Sequence, residues 1–265
     1  MSAIALGLDR TVLELKMYSR EKEAVFFSFL FPILLLALFS VIFGSQFGGD
    51  GNGMTAGGYF LPGMLSAGVL LTSFQTMAMS VTAERDDGTL KRLRATPMPP
   101  VAYFLGKVGL VAISSTAQVA LLLLVARLLF GVSLPSTADR WAVFALVFAL
   151  GVFGGTVLGI AYSSMATART VGAVVIGPML VLQFISGVYI AFDDVPQWLQ
   201  QVASVFPLKW IAQGMRSVFY PSDLASAEMA GAWETGRTAL VLFAWAAGGL
   251  VLCVLTFKWF QRGTT

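Results

Sequence analysis

The sequence predicts an all-α integral membrane protein. It has six transmembrane helices, an amphipathic helix at the N-terminus, a short cytoplasmic helix, and outer helices that re-enter the membrane. Three observations carry this reading. Of 265 residues, 57% are apolar and 12% charged, against roughly 45–50% and 25% in soluble domains. Mean hydropathy is +0.80. The apolar residues gather in runs near the roughly 20 residues that cross about 30 Å of hydrocarbon. Such a composition excludes a soluble enzyme, a disordered chain and a disulfide scaffold. Helices follow because an isolated strand cannot satisfy its backbone in lipid, and the alternation of a membrane β-barrel is absent.

Residues 1–23 precede the first span. Ile4, Leu8, Thr11, Val12, Leu15 and Tyr18 share one arc at about 100° per residue. Asp9, Arg10, Glu14, Lys16 and Arg20 fall outside it, as expected of a helix lying along the membrane surface. Six spans then fill 24–265: Ala24–Phe43, Tyr59–Thr82, Val108–Phe130, Trp141–Ser163, Val171–Phe192 and Thr238–Phe257. The first is too long, and too far from the N-terminus, for a signal peptide. Pro32, Pro62 and Pro178 fall in these runs, either as kinks where a pathway opens or as static bends.

Lys and Arg set the orientation. Twelve of the 17 fall on one side: Arg10, Lys16, Arg20, Lys22, Arg85, Lys91, Arg92, Arg94, Lys107, Arg169, Lys258 and Arg262. Arg127, Arg140, Lys209, Arg216 and Arg237 fall on the other, so both termini are expected in the cytoplasm. The net charge of +3 is read as this bias, not as a nucleic-acid footprint.

Two loops stand out. Between spans two and three, residues 83–100 read AERDDGTLKRLRATPMPP. Asp87 and Lys91 are four apart with the acid first, Leu90 and Leu93 share a face, and the Thr96-Pro97 and Pro99-Pro100 pairs end the helix. A short helix with a charged rim and an apolar ridge suits a groove on a partner. An ordinary basic loop would show the same residues. The second loop, 192–236, is too apolar for a solvated connection. Asp193-Asp194-Val195-Pro196 starts a helix there, followed by Trp198, Pro207 and Trp210. Short helices folded back into the outer leaflet are expected.

These segments resemble the ABC-2 family of permeases, the membrane subunits of ABC exporters, over nearly the whole chain. The run Glu84, Gly88-Thr89-Leu90, Leu93, Thr96-Pro97 resembles the family's coupling segment. Gly187 through Pro196-Gln197-Trp198-Leu199, Pro207-Leu208 and Arg216 resembles its outer re-entrant region, and the N-terminal helix its connecting helix. The short loop between spans one and two is similar to the daunorubicin-type, drug-resistance branch. The resemblance implies two permease chains around a central pathway and two separate ATP-binding subunits, which hold ATP and Mg. Those subunits would dock through Glu84, Asp87, Gly88, Thr89, Leu90, Lys91, Arg92, Leu93 and Arg94. The lipophilic substrate would pass among membrane lipids in a bacterial plasma membrane.

This chain offers no phosphate cradle of its own. In its only Gly-Lys pair, Gly106-Lys107, Val101 replaces the first P-loop glycine and Val108 the Ser/Thr. No histidine is present, which excludes His triads and His-ligated metals, and Cys253 is the only cysteine. The spans read as almost free of charge, which argues against ion coupling. Phe74, Gln75, Met77, Gln183 and Phe184 are candidates for a substrate pathway of aromatics, Met and amides. Interhelical packing is the competing reading for each. Gly151, Gly154, Gly155 and Gly159 read as close helix packing. A non-ATP-coupled channel or secondary transporter, a membrane assembly subunit and a lipid-modifying enzyme are the alternative functions.

Overall fold

The computed structural model describes residues 2–47 and 54–257. Lys258 and Arg262, and residues 48–53 of the loop between spans one and two, lie outside them. Among the described residues the chain is all helix and turn, with no strand. Five helices are long and apolar enough to cross a membrane.

Helix α1 (Ala3–Arg20) is capped by Ser2, whose Oγ accepts from Ala5 N at 3.2 Å. Its predicted apolar arc is split: Ile4, Leu8 and Val12 are exposed, whereas Thr11 and Tyr18 are buried and Leu15 packs on the core. The buried face is Gly7, Arg10, Thr11, Glu14 and Tyr18, and it packs along α7 (Pro100–Phe130). Glycines make that contact close. A Cβ on Gly106 would lie 2.4 Å from Arg10 Cγ, and one on Gly109 2.4 Å from Thr11 Oγ1. Arg10 and Glu14, expected on the polar side, thus face protein. Helix α2 (Lys22–Ile42) follows after one residue and is mostly exposed, with Pro32 buried. A single turn, α3 (Gly44–Phe47), ends the segment.

The centre of the bundle is one 31-residue helix, Ala56–Asp86. It consists of α4 (Ala56–Leu70), a π turn at Leu71–Gln75, and α5 (Thr76–Asp86). The helix opens at Thr55, whose Oγ1 accepts from Gly58 N at 3.1 Å. It is buried on nearly every side, as an all-round apolar helix must be. The π turn is held by the helix α8 (Ala138–Ser163). A Cβ on Gly155 would meet Ser73 Oγ at 2.0 Å, and one on Gly159 the carbonyl oxygen of Phe74 at 2.4 Å. The glycines of span four are therefore sites of close helix approach. Thr72 Oγ1 donates to Gln118 Oε1 at 2.7 Å, and Gln118 Nε2 donates to Ser28 O at 2.8 Å, which pins the π turn to α7 and α2.

Gly88, at φ 79°, turns the chain out of α5 into α6 (Thr89–Arg94). α7 begins at Pro100, eight residues before the predicted span, and stops at Gly131, φ 63°. The run Val171–Phe192 forms a shorter helix than expected. A π turn (Gly172–Ile176) and α9 (Gly177–Ile185) together give Gly172–Ile185, about 21 Å at 1.5 Å per residue. That falls short of the roughly 30 Å core. Gly187 at φ 72° then turns the chain. After it come α10 (Gln197–Val205), α11 (Pro207–Phe219) and α12 (Thr235–Thr256). α11 packs between α4, α8 and α12, whereas α10 leaves Trp198, Val202 and Val205 exposed together.

Candidate functional site

The 83–100 segment divides into an inner and an outer face. Lys91, Arg92, Arg94 and Asp87 are exposed. Leu90 is fully buried and Leu93 half-buried, packed on the chain's own core. The apolar ridge therefore seats α6 on its own bundle, and the face left for a partner is charged. Asp87 does not form the expected pair with Lys91. Its Oδ1 accepts from Thr89 N at 2.8 Å, capping α6. Glu84 is also withdrawn from the surface.

Glu84 belongs to a buried charge cluster that the sequence reading did not find. Lys107 Nζ bonds to Glu84 Oε1 at 2.5 Å, Glu14 Oε2 at 2.9 Å and Ser80 Oγ at 3.0 Å. These saturate its three donors. Arg10 Nη2 reaches Glu14 Oε1 at 2.6 Å, and Tyr103 OH donates to Glu84 Oε2 at 2.8 Å. Lys107 is 0% exposed. The spans are thus not free of charge near this end: α1, α5 and α7 are joined by two acids and two bases. The Gly106-Lys107 pair lies inside α7, where Gly106 admits Arg10 and Lys107 holds the cluster.

Beside it, Arg85 Nη2 donates to the carbonyl oxygens of Ser163 at 2.6 Å and Ala166 at 2.5 Å. This satisfies the open C-terminus of α8. Asp86 Oδ2 accepts from Ala168 N at 2.6 Å. The end of α5 is therefore tied to the loop leading into Gly172–Ile185 as well as to α6.

The pathway candidates separate. Phe74 lines an apolar cavity of about 200 Å³ with Leu70, Leu158, Tyr162, Val174, Val175, Pro178, Met179, Leu182, Phe206, Pro207 and Trp245. Both π turns meet there, Phe74 from the first and Val174 and Val175 from the second. Gln75, Met77, Gln183 and Phe184 are not on its wall. Met77 is fully buried against Gly159, which is core packing. Gln183 accepts from Tyr189 OH, Gln75 is half-buried, and Phe184 is exposed. Of the outer residues, Pro207 reaches the same cavity, while Pro196 begins α10 and Trp198 faces outward. Trp210 is buried and donates from Nε1 to Ser204 O at 2.8 Å. Lys209 Nζ lies 4.0 Å over the Trp210 ring and bonds Gln213. Burial pushes the Lys209 ammonium down to about 8. Among the described residues, no cluster of three or more potential metal ligands occurs.

A bundle with five helices long and apolar enough to cross a membrane, and a short basic helix seated on one end of its central helix, defines a multi-pass membrane protein. The ABC-2 type transporter family matches residues 10–220, and the chain belongs to that family. It is also similar to a daunorubicin resistance ABC transporter permease protein, DrrB1, of Streptomyces coeruleorubidus. The two are 23% identical over 245 residues, covering 88% of this chain and 78% of that protein.

Proposed function

We propose that the chain is the permease subunit of an ATP-driven exporter, moving a lipophilic or amphipathic molecule out of the cytoplasm or the inner leaflet of a bacterial plasma membrane. A separate ATP-binding subunit, in two copies, supplies ATP and Mg chemistry. A second copy of the permease completes the pathway, and both termini face the cytoplasm. One observation carries the reading: the helix Ala56–Asp86 holds Phe74 on the cavity wall and ends at the Gly88 turn that leads directly into the exposed basic face at Lys91, Arg92 and Arg94. A partner that moved α6 would move Phe74 with it, through α5 and its ties to Lys107 and to the Ser163–Ala166 carbonyls. Differential binding of nucleotide states by the partner would select between two arrangements of that lever. An ion-coupled carrier is the weaker reading, because Glu14 and Glu84 are both held by Lys107.

The test is reversal of charge at α6. The triple variant Lys91→Glu, Arg92→Glu, Arg94→Glu should insert and fold normally, since exposed substitutions cost about 0.5 kcal/mol or less each. It should lose substrate-stimulated ATP hydrolysis or release the co-purifying ATPase. Full stimulation with the ATPase still bound would refute the docking assignment.

A further inference from the structure

A second cavity, of about 210 Å³, lies at the opposite end of the central helix from α6. Tyr59 and Asp86 stand about 40 Å apart along that helix. The wall is largely aromatic, with Tyr59, Tyr189, Phe192, Tyr220 and Trp233 among its residues. Tyr59 and Tyr220 stack at 5.6 Å, and Tyr220 meets Trp233 at 6.2 Å. Arg216, Glu228 and Asp193 supply its charges. Arg216 and Glu228 are 6% and 5% exposed, and pair through Nε and Oε1 at 2.6 Å. Arg216 Nη1 donates to Gly187 O at 2.8 Å. Arg216 Nη2 and Glu228 Oε2 make no hydrogen bond.

Buried polar atoms without partners are rare, and each calls for a group that satisfies it. Here the lining makes two opposed requirements. The spare guanidinium N–H suits an anionic oxygen. The carboxylates and ring faces suit an organic cation. An apolar solute would fit the volume, since a void of about 150 Å³ takes up benzene. It would leave both charged atoms unsatisfied. A group carrying both signs within a few bonds answers every feature. We propose that this cavity binds a zwitterionic phospho-amine, its phosphate toward Arg216 and its ammonium among the rings beside Glu228 and Asp193. The source is either a phospholipid headgroup or a soluble phospho-amine.

The experiment uses the full chain in mild detergent, with an equimolar mixture of phosphatidylethanolamine and phosphatidylglycerol, and counts bound lipid by native mass spectrometry. Retention of the ethanolamine lipid should exceed that of the glycerol lipid about tenfold, equivalent to about 1.4 kcal/mol. The preference should collapse in Trp233→Leu, at a half-buried side chain, and in Asp193→Asn, at an exposed one whose loss leaves the fold intact. Displacement by soluble phosphoethanolamine would assign recognition to the headgroup alone. A preference that resists displacement yet depends on Trp233 would assign it to the membrane lipid. Equal retention of the two lipids, or a preference that survives both substitutions, overturns the proposal. The readout needs neither ATP nor transport, so its failure leaves the exporter reading standing.

Discussion

At one end of the central helix, Lys107 is enclosed by Glu14, Ser80 and Glu84, drawn from α1 and α5. In the other half, Lys209 reaches only as far as Gln213, one turn along its own helix, and Arg216 meets a glutamate 12 residues further on. The first cluster fastens segments 93 and 23 residues apart in sequence. The second joins side chains at most 12 residues apart, with one further bond from Arg216 to Gly187 O. Both clusters keep buried atoms without a hydrogen bond, Arg10 Nε and Glu14 Oε1 in the first and Arg216 Nη2 and Glu228 Oε2 in the second, but the second lines a cavity. Buried charge therefore serves two ends in one molecule. Near α6 it ties three helices together. In the opposite half it leaves unfilled hydrogen-bonding capacity around a cavity.

Breaking the first cluster should have the largest effect. Lys107→Met leaves two buried carboxylates, Glu14 and Glu84, with Arg10 as the remaining cation, 2.6 and 3.9 Å away, at a cost of about 3–5 kcal/mol. Thermal unfolding in detergent should show it, with partial recovery in Lys107→Met, Glu84→Gln. Arg216→Met should cost less, about 1–3 kcal/mol. Glu228 follows the 3₁₀ helix Ser222–Ala227 and lines the cavity, where water can reach a carboxylate that has lost its partner. Equal losses from the two substitutions would erase the contrast.

Lys209 sharpens it by pH. Its folded value, about 8, lies below the ordinary 10.5, so the buried ammonium opposes folding in full below pH 8. Between those values the unfolded chain holds more protons, and stability should rise with pH. Lys209→Met should remove that rise, measured as the melting temperature at pH 8 and pH 10.

The smallest effect on stability and the most specific on function should come at the cavity. Phe74→Ala should shift the order in which lipophilic compounds stimulate the ATPase, at a cost to folding limited by its half-buried place beside Tyr162. Met77→Ala should instead lower stability by about 2–5 kcal/mol. The reverse pattern would place Phe74 in the core and Met77 on the pathway.

Spans one, two, three, four and six were legible because composition and length suffice to define them. Span five is shorter in the fold than in the sequence. The run from Val171 to Phe192 is apolar enough to cross, but Gly187 turns the chain soon after α9 ends. The short helix between spans two and three was legible as a helix, yet its faces were not. Whether Leu90 points at a partner or at its own core depends on neighbours that sequence spacing does not reveal. The charge cluster was hidden for the same reason. Lys107 reads as a loop cation until α7 is seen to begin at Pro100, and Gly106 and Gly109 carry no mark of the helix they admit. The arc read for α1 is divided in the fold, with Ile4, Leu8 and Val12 exposed and Thr11 and Tyr18 buried, because Arg10 and Glu14 turn inward to Lys107.

The π turn at Leu71–Gln75 also has a hereditary meaning. Such a turn holds one residue more than the α-helix around it. Losing that residue would restore a regular helix, and because the wider turn already absorbs it, the two halves would keep nearly the same orientation. α6 and Phe74 would stay aligned on the same shaft. A one-residue gap here is a change of length that a relative's chain could carry without turning its two ends against each other. The same gap in the regular turns of α5 would rotate them by about 100°.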